Sequence, residues 1–300
     1  MASLSADHSS DPRPASASTT TATANAPVGT PTREDEELYR SIVFLNAVVP
    51  VLRPIIEATP SLRRAFVGRH GVVQISARAA DGTSVDGRPP RVATHLVVDD
   101  GEVSLALGPH RTPNVELEFG SRARLNAFFL GKASLPRIRG GAANPGLLVA
   151  TIRSLLTMSS LLGATEPPED EQRQALLTKA MFHLLTTGIS QLNKAGHPRL
   201  RTWSTRQPDR VYQLSVAGDP ELAAYVRVKG GRTKAVRGAY TYARPFFRMQ
   251  FDSPRSALGI LLETDDMIES TVTGRIEMLG APEYGAELGE LMLLVGGYAK

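Results

Sequence analysis

Apolar residues recur at helical spacing at the start of each half of the chain. From Leu38 the positions Ile42, Leu45, Val49, Leu52 and Ile56 follow at intervals of four, three, four, three and four, which lays one stripe along a helix. Thr32 followed by Asp35 has the pattern of a capping box at its start, and Pro50 and Pro54 predict a kink. Farther on, Leu177, Met181, Leu184, Leu185, Ile189 and Leu192 repeat the stripe, with Gly196 as its C-cap.

Alternating runs follow each helix in the same order. Val72-Val73-Gln74-Ile75-Ser76-Ala77 matches Val211-Tyr212-Gln213-Leu214-Ser215-Val216, and each predicts a strand. His95 to Val98, the turn Asp99-Asp100-Gly101 and Val103 to Leu107 predict a hairpin. Its counterpart is Tyr225 to Lys229, Gly230-Gly231 and Arg232 to Arg237. Val115-Glu116-Leu117-Glu118-Phe119 and Phe247-Arg248-Met249-Gln250-Phe251 are apolar at alternate positions and end in Phe. Helical stretches follow at Ser121 to Leu130 and Ser253 to Leu262. Then come short strands at Leu135 to Gly141 and Gly274 to Gly280, and closing helices marked by Leu148, Ile152, Leu155 and Leu162, or by Tyr284, Leu288, Leu291, Met292 and Val295.

This order predicts an α+β chain of two tandem copies. Residues 1–33 form a tail, 34–163 the first copy, 164–170 a Pro-rich acidic linker and 171–300 the second copy. The tail is dominated by Ala, Ser, Thr, Pro and Asp, too little apolar surface to offset chain entropy, and is expected to be disordered.

The succession of helix, strand, hairpin, strand ending in Phe-x-Ser, helix, Gly-x-Ile-x-x-x-Gly strand and closing helix resembles the type-two sterol carrier protein domain. The stretches that carry the resemblance are Phe251-Asp252-Ser253-Pro254-Arg255-Ser256-Ala257-Leu258 and Thr273 to Gly280. The first copy departs from it at Gly131-Lys132 and Leu135-Pro136-Arg137-Ile138, where the loop before the strand is shorter. The resemblance implies a curved, mainly antiparallel sheet in each copy, covered on one face by helices. It also implies an apolar tunnel for a sterol, fatty acyl chain or isoprenoid, and binding or transfer without catalytic residues or cofactor. In the first copy Phe128, Phe129 and Leu155 are expected to line the tunnel. In the second, Leu261, Leu262, Leu288, Leu291 and Met292 are. Gly285, Gly289 and Gly296 leave a side-chain-free stripe on the last helix, which close packing or room for a lipid would explain.

Composition narrows the chemistry. With no cysteine, thiolate catalysis, disulfides and Cys-ligated metals are excluded. Nothing near Met1 to Pro27 supplies the basic start and apolar run of about 7 to 15 residues of a secretory leader, and no stretch of about 18 uninterrupted apolar residues occurs, so the expected location is cytoplasmic. Asp265-Asp266-Met267-Ile268-Glu269 has the form of a metal-diphosphate motif but falls at a helix end without a second motif, so no metal is expected. His8, His70, His95, His110, His183 and His197 show no i, i+4 pair, and no Gly-x-Ser-x-Gly elbow occurs. A lipid isomerase or cyclase with a buried polar group in the tunnel, and a protein-protein adaptor, are the alternative functions. Between Arg199 and Arg248 eleven Lys or Arg face three acids. Arg227, Lys229, Arg232 and Lys234 are therefore expected on a solvent face that could meet an anionic membrane, with nucleic acid ranked last. The matching first-copy hairpin carries Asp99, Asp100 and Glu102, which suggests divergent partners or copies that dock on each other.

Overall fold

The computed structural model describes residues 31–79 and 90–300, so the tail reading for residues 1–30 lies outside the described residues. Thr32 caps α1 (Arg33–Val43): its hydroxyl accepts from Asp35 N at 3.2 Å, and the Asp35 carboxylate accepts from Thr32 N at 3.0 Å. The helical path continues through a π turn, Phe44–Val48, and a 3₁₀ turn, Val49–Val51, into α2 (Leu52–Ala58). Pro50 and Pro54 bring no N–H to the ladder, and the chain answers by re-spacing it, with Val49 N reaching back to the Phe44 carbonyl. A short α3 (Pro60–Phe66) follows.

The first sheet holds β1 (His70–Arg78), β2 (Arg91–Asp99), β3 (Glu102–Leu107), β4 (Val115–Phe119) and β5 (Arg137–Arg139), in the order β3-β2-β1-β4-β5. β1 and β4 are parallel and the other pairs antiparallel. The connection between β4 and β5 carries α4 (Arg122–Phe129), N-capped by Ser121, and α5 (Pro145–Leu162) closes the half.

The second half runs α6 (Glu171–Lys194), α7 (Pro198–Arg206), β6 (Arg210–Val216), β7 (Asp219–Lys229), β8 (Arg232–Arg237) and β9 (Phe247–Phe251). It ends with α8 (Pro254–Leu261), α9 (Met267–Val272), β10 (Ile276–Leu279) and α10 (Pro282–Ala299). Its sheet order is β10-β9-β6-β7-β8. The chain is thus α+β, with two mainly antiparallel five-stranded sheets.

Register agrees between the sheets as well. Ala77 faces Phe119 across the parallel pair of the first, and Val216 faces Phe251 across that of the second. Gln74 and Gln213 both accept with Oε1 from a loop amide, His110 N at 2.6 Å and Tyr240 N at 2.8 Å. Both hairpin tips hang from the helix before the central strand: Gly101 N donates to Phe66 O at 3.0 Å, and Gly231 N to Ser204 O at 2.9 Å. Those helices, α3 and α7, are absent from the sequence reading.

Each sheet buries one face under helices. The inner residues Val73, Ile75, Leu117 and Phe119, and Tyr212, Leu214, Met249 and Phe251, are at most 3% exposed, and such burial is worth about 1.5–3 kcal/mol per large side chain. α6 packs on β7, β8 and α8 with one side, and on α1, the π turn and α2 with another, so one apolar core runs through both halves. Polar ties cross the same seam. Arg237 donates to Pro50 O at 3.0 Å and Asn46 to Gln191 at 3.4 Å, while the rings of Tyr39, His197 and Tyr298 meet at centroid distances of 4.8–6.2 Å.

Two helical stretches, Arg33–Ala58 and Pro145–Leu162, are apolar and long enough by composition to cross a membrane. Isolated polar residues such as Asn46, Arg53 and Arg153 hide them from a search for uninterrupted apolar runs. The first is mostly buried in the core; α5 is less than half buried.

Candidate functional site

Of the eight residues expected to line a tunnel, Leu155, Leu288, Leu291 and Met292 are buried in the core, and Phe128, Phe129, Leu261 and Leu262 are half-buried against it. Phe128 packs on Phe119 with ring centroids 5.2 Å apart, and Phe129 stacks on Phe44 at 4.9 Å. The glycines of α10 divide. A Cβ on Gly285 would stand 2.9 Å from Phe247 Cζ, a close helix-on-sheet approach, whereas at Gly289 and Gly296 there is open space.

A groove of about 480 Å³ lies between α2, α5 and α6. Its apolar wall is Ile55, Leu156, Leu161 and Leu176; Thr59, Thr157, Ser160 and Arg173 supply the polar groups. Local sequence explains how these meet. Thr59-Pro60 ends α2 and starts α3, the Pro-rich linker turns the chain after α5, and Asp170 starts α6 by accepting from Arg173 N at 2.7 Å. That cap fixes Arg173 in the first turn, with its side chain exposed. None of the eight expected residues lines the groove. Its size falls in the range of small-molecule sites, as does its make-up of apolar walls with a few polar groups.

The polar motifs resolve into local structure. Asp266 N-caps α9 through Glu269 N at 2.8 Å, and Asp265 lies 3.4 Å from Arg275; among the described residues no group of His, Asp and Glu has the arrangement of a metal site. Arg227 and Lys229 share Asp209, at 2.6 and 3.2 Å. The hydrogen bond from Arg227 holds the Asp209 carboxyl below the usual carboxylate range. Tyr225 is buried, in edge contact with Tyr240 at 5.2 Å, although alternation expects it in solvent beside Arg227. Arg232 and Lys234 are exposed. In the acidic hairpin Glu102 pairs with Arg63 at 2.7 Å and Asp100 accepts from Gly68 N at 2.7 Å, so Arg227 and Lys229 of one hairpin and Asp100 and Glu102 of the other find partners within their own half.

The first sheet carries a polar network on its outer face, which sequence reasoning missed. Glu116 accepts from Gln74 and Ser76, both at 2.7 Å, and pairs with Arg91. Glu118 binds Arg78 and Arg139, each at 2.6 Å. Burial opposes ionisation of Glu118, but the hydrogen bond and charge of Arg78 prevail and keep its pKa low. Alternation places Glu116 and Glu118 on the face opposite Leu117, so the signal was present in Val115-Glu116-Leu117-Glu118-Phe119.

No protein-family profile matches the chain, and no curated protein matches it. Among solved structures, it is similar to a conserved hypothetical protein from Thermus thermophilus described as possibly a sterol carrier protein. The identity is 17% over 38% of this chain and 82% of that one, with a TM-score of 0.26. It is also similar to the inverting sec-alkylsulfatase Pisa1 from Pseudomonas sp. (12% identity, 56% of this chain and 31% of that one, TM-score 0.22) and to a double mutant of PisA1 (11%, 55% and 31%, TM-score 0.25).

Proposed function

We propose that the protein binds a single-chain lipid amphiphile, of the fatty acid class, in the groove between α2, α5 and α6, without transforming it. The observation that carries this is the pairing of an apolar wall, Ile55, Leu156, Leu161 and Leu176, with an exposed guanidinium, Arg173, on the same lining. Burying about ten methylenes at about 0.8 kcal/mol each supplies roughly 8 kcal/mol before ordering costs, so the affinity expected is no tighter than micromolar. Arg173 offers a carboxylate a two-pronged donor.

The sterol-carrier resemblance supports a lipid as ligand. Equal strand order, register and hairpin anchoring support reading residues 34–163 and 171–300 as two copies of one domain type. The groove then belongs to the junction of the copies, since α6 opens the second.

Titration of the full chain with a fluorescent fatty acid tests the proposal. Saturable uptake is expected, and Arg173→Glu should weaken it by about tenfold, as the loss of one charge-assisted contact does. Binding of the matching fatty alcohol should change far less. A wild-type protein that takes up neither lipid, or an Arg173→Glu variant that binds the acid as tightly as before, would refute it.

A further inference from the structure

From residue 222 to 251 the chain has seven Lys or Arg and no Asp or Glu, and strand register sorts them. Arg237 turns inward and donates to Pro50 O. The other strand cations share the outer face of the second sheet. Lys229 stands opposite Arg232 and Arg227 opposite Lys234, while Gln213 lies between Tyr225 on one side and Arg248 on the other. Strand spacing therefore puts Arg227, Lys234 and Arg248 within about 10 Å of Tyr225, Cα to Cα.

An aromatic cluster sits among these charges. The loop after β8 returns over the sheet, with Tyr240 N donating to Gln213 Oε1 at 2.8 Å. Tyr240 meets Tyr225 at a centroid distance of 5.2 Å and Tyr242 at 5.7 Å. Tyr225 is buried beneath, Tyr240 is half-buried and Tyr242 is 86% exposed. Arg244, two residues on, is exposed as well. Arg227 and Lys229 share Asp209, and Glu277 accepts from Gln250 at the sheet edge. Arg232, Lys234, Arg244 and Arg248 form no ion pair among the described residues.

We infer that this outer face of the second sheet binds single-stranded nucleic acid. Unpaired cations answer a phosphate backbone, and an exposed tyrosine ring on a sheet offers a stacking surface to an unpaired base. A duplex would keep its bases from the ring. An anionic bilayer answers the charge alone, because Tyr242 is the one large apolar side chain on this face exposed enough to enter it. The first sheet is the internal contrast. There Gln74 accepts from the loop amide of His110 and lies between His95 and Glu116, so a carboxylate that draws Arg91 stands where the second sheet has Arg248.

Fluorescence anisotropy of labelled single strands of about 16 nucleotides, DNA and RNA, with the full chain tests the inference. A single strand should bind at least about tenfold more tightly than the duplex of its sequence. Four phosphate contacts should cost it about fiftyfold between 50 and 200 mM salt. Tyr242→Ala should weaken binding by about tenfold and leave that salt dependence unchanged, and Tyr242→Phe should keep it, since stacking needs only the ring. Arg232→Glu/Lys234→Glu should weaken binding at least about tenfold and flatten the salt dependence, while melting and fatty acid uptake stay as in the wild type, because neither residue lines the groove. No binding of either strand at 50 mM salt, equal affinity for duplex, or undiminished binding by folded Tyr242→Ala would each overturn the inference. Uptake onto phosphatidylglycerol vesicles by a protein that ignores both strands would assign the face to an anionic membrane instead.

Discussion

Replacing Gly188 with leucine should destabilise the fold by about 3 kcal/mol. Gly188 lies on α6 where α10 crosses, and a Cβ there would stand 2.4 Å from Val295 Cγ1 and 3.3 Å from its Cβ. Val295 is fully buried and β-branched, so it has little freedom to turn aside. Nor can α6 retreat, since it packs on β7, β8 and α8 of its own half and on α1 and the π turn of the other. Gly289→Ala is the control on the partner helix, because nothing lies within 4 Å of its added Cβ. It should gain about 0.5–1 kcal/mol from helix propensity. Urea unfolding at constant slope measures both. A Gly188→Leu protein as stable as the wild type would show that the α6–α10 contact is looser than these distances require.

The glycines show what the sequence could and could not carry. The stripe on α10 was visible, but Gly285 closes on Phe247 while Gly289 and Gly296 face open space, a distinction set by what stands opposite in space. Strands β4 and β9 were legible to the residue because apolar and polar positions alternate between two turns, and β8, Arg-Thr-Lys-Ala-Val-Arg, through its match to the first-copy hairpin. β1, β2 and β7 run longer than expected at Arg78, Arg91 and Asp219, where charged residues at the strand ends obscure the alternation. α3 and α7 are short, begin at Pro and are rich in Arg, so they show little stripe; their tertiary role is seen in the bonds to Gly101 and Gly231. α9, six residues after an Asp cap, reads as a turn from sequence.

The candidate site was less legible than the fold, for a physical reason. Ligand positions were expected beneath each sheet, within one copy. The groove joins α2 and α5 of the first half to α6 of the second, and intervals of three and four along separate helices do not say which helices meet. In α5 apolar residues occur nearly all round, so periodicity could not separate Leu155, 7% exposed in the core, from Leu156, 65% exposed on the groove rim.

Stability should decline as pH falls below neutrality, and His183 should account for a large part of the loss. The imidazole is 3% exposed, and neither ring nitrogen has a hydrogen-bond partner among the described residues. Burial, followed by the charges of Arg237 and Lys179, lowers its pKa from 6.5 to about 3. The sign follows from linkage. Below 6.5 the unfolded chain takes up a proton that the folded protein refuses until about 3, so the stabilisation is complete above 6.5 and is lost progressively across that window. Each pH unit removes about 1.4 kcal/mol, or roughly 5 kcal/mol over the window. His183→Leu should abolish that share of the slope. At neutral pH it should be neutral or stabilising by about 1 kcal/mol, because a buried polar ring without protein partners gives way to an apolar side chain of similar reach. Urea unfolding of both proteins from pH 7.5 to 4 decides the matter: parallel curves would show that His183 is protonated as readily in the fold as outside it.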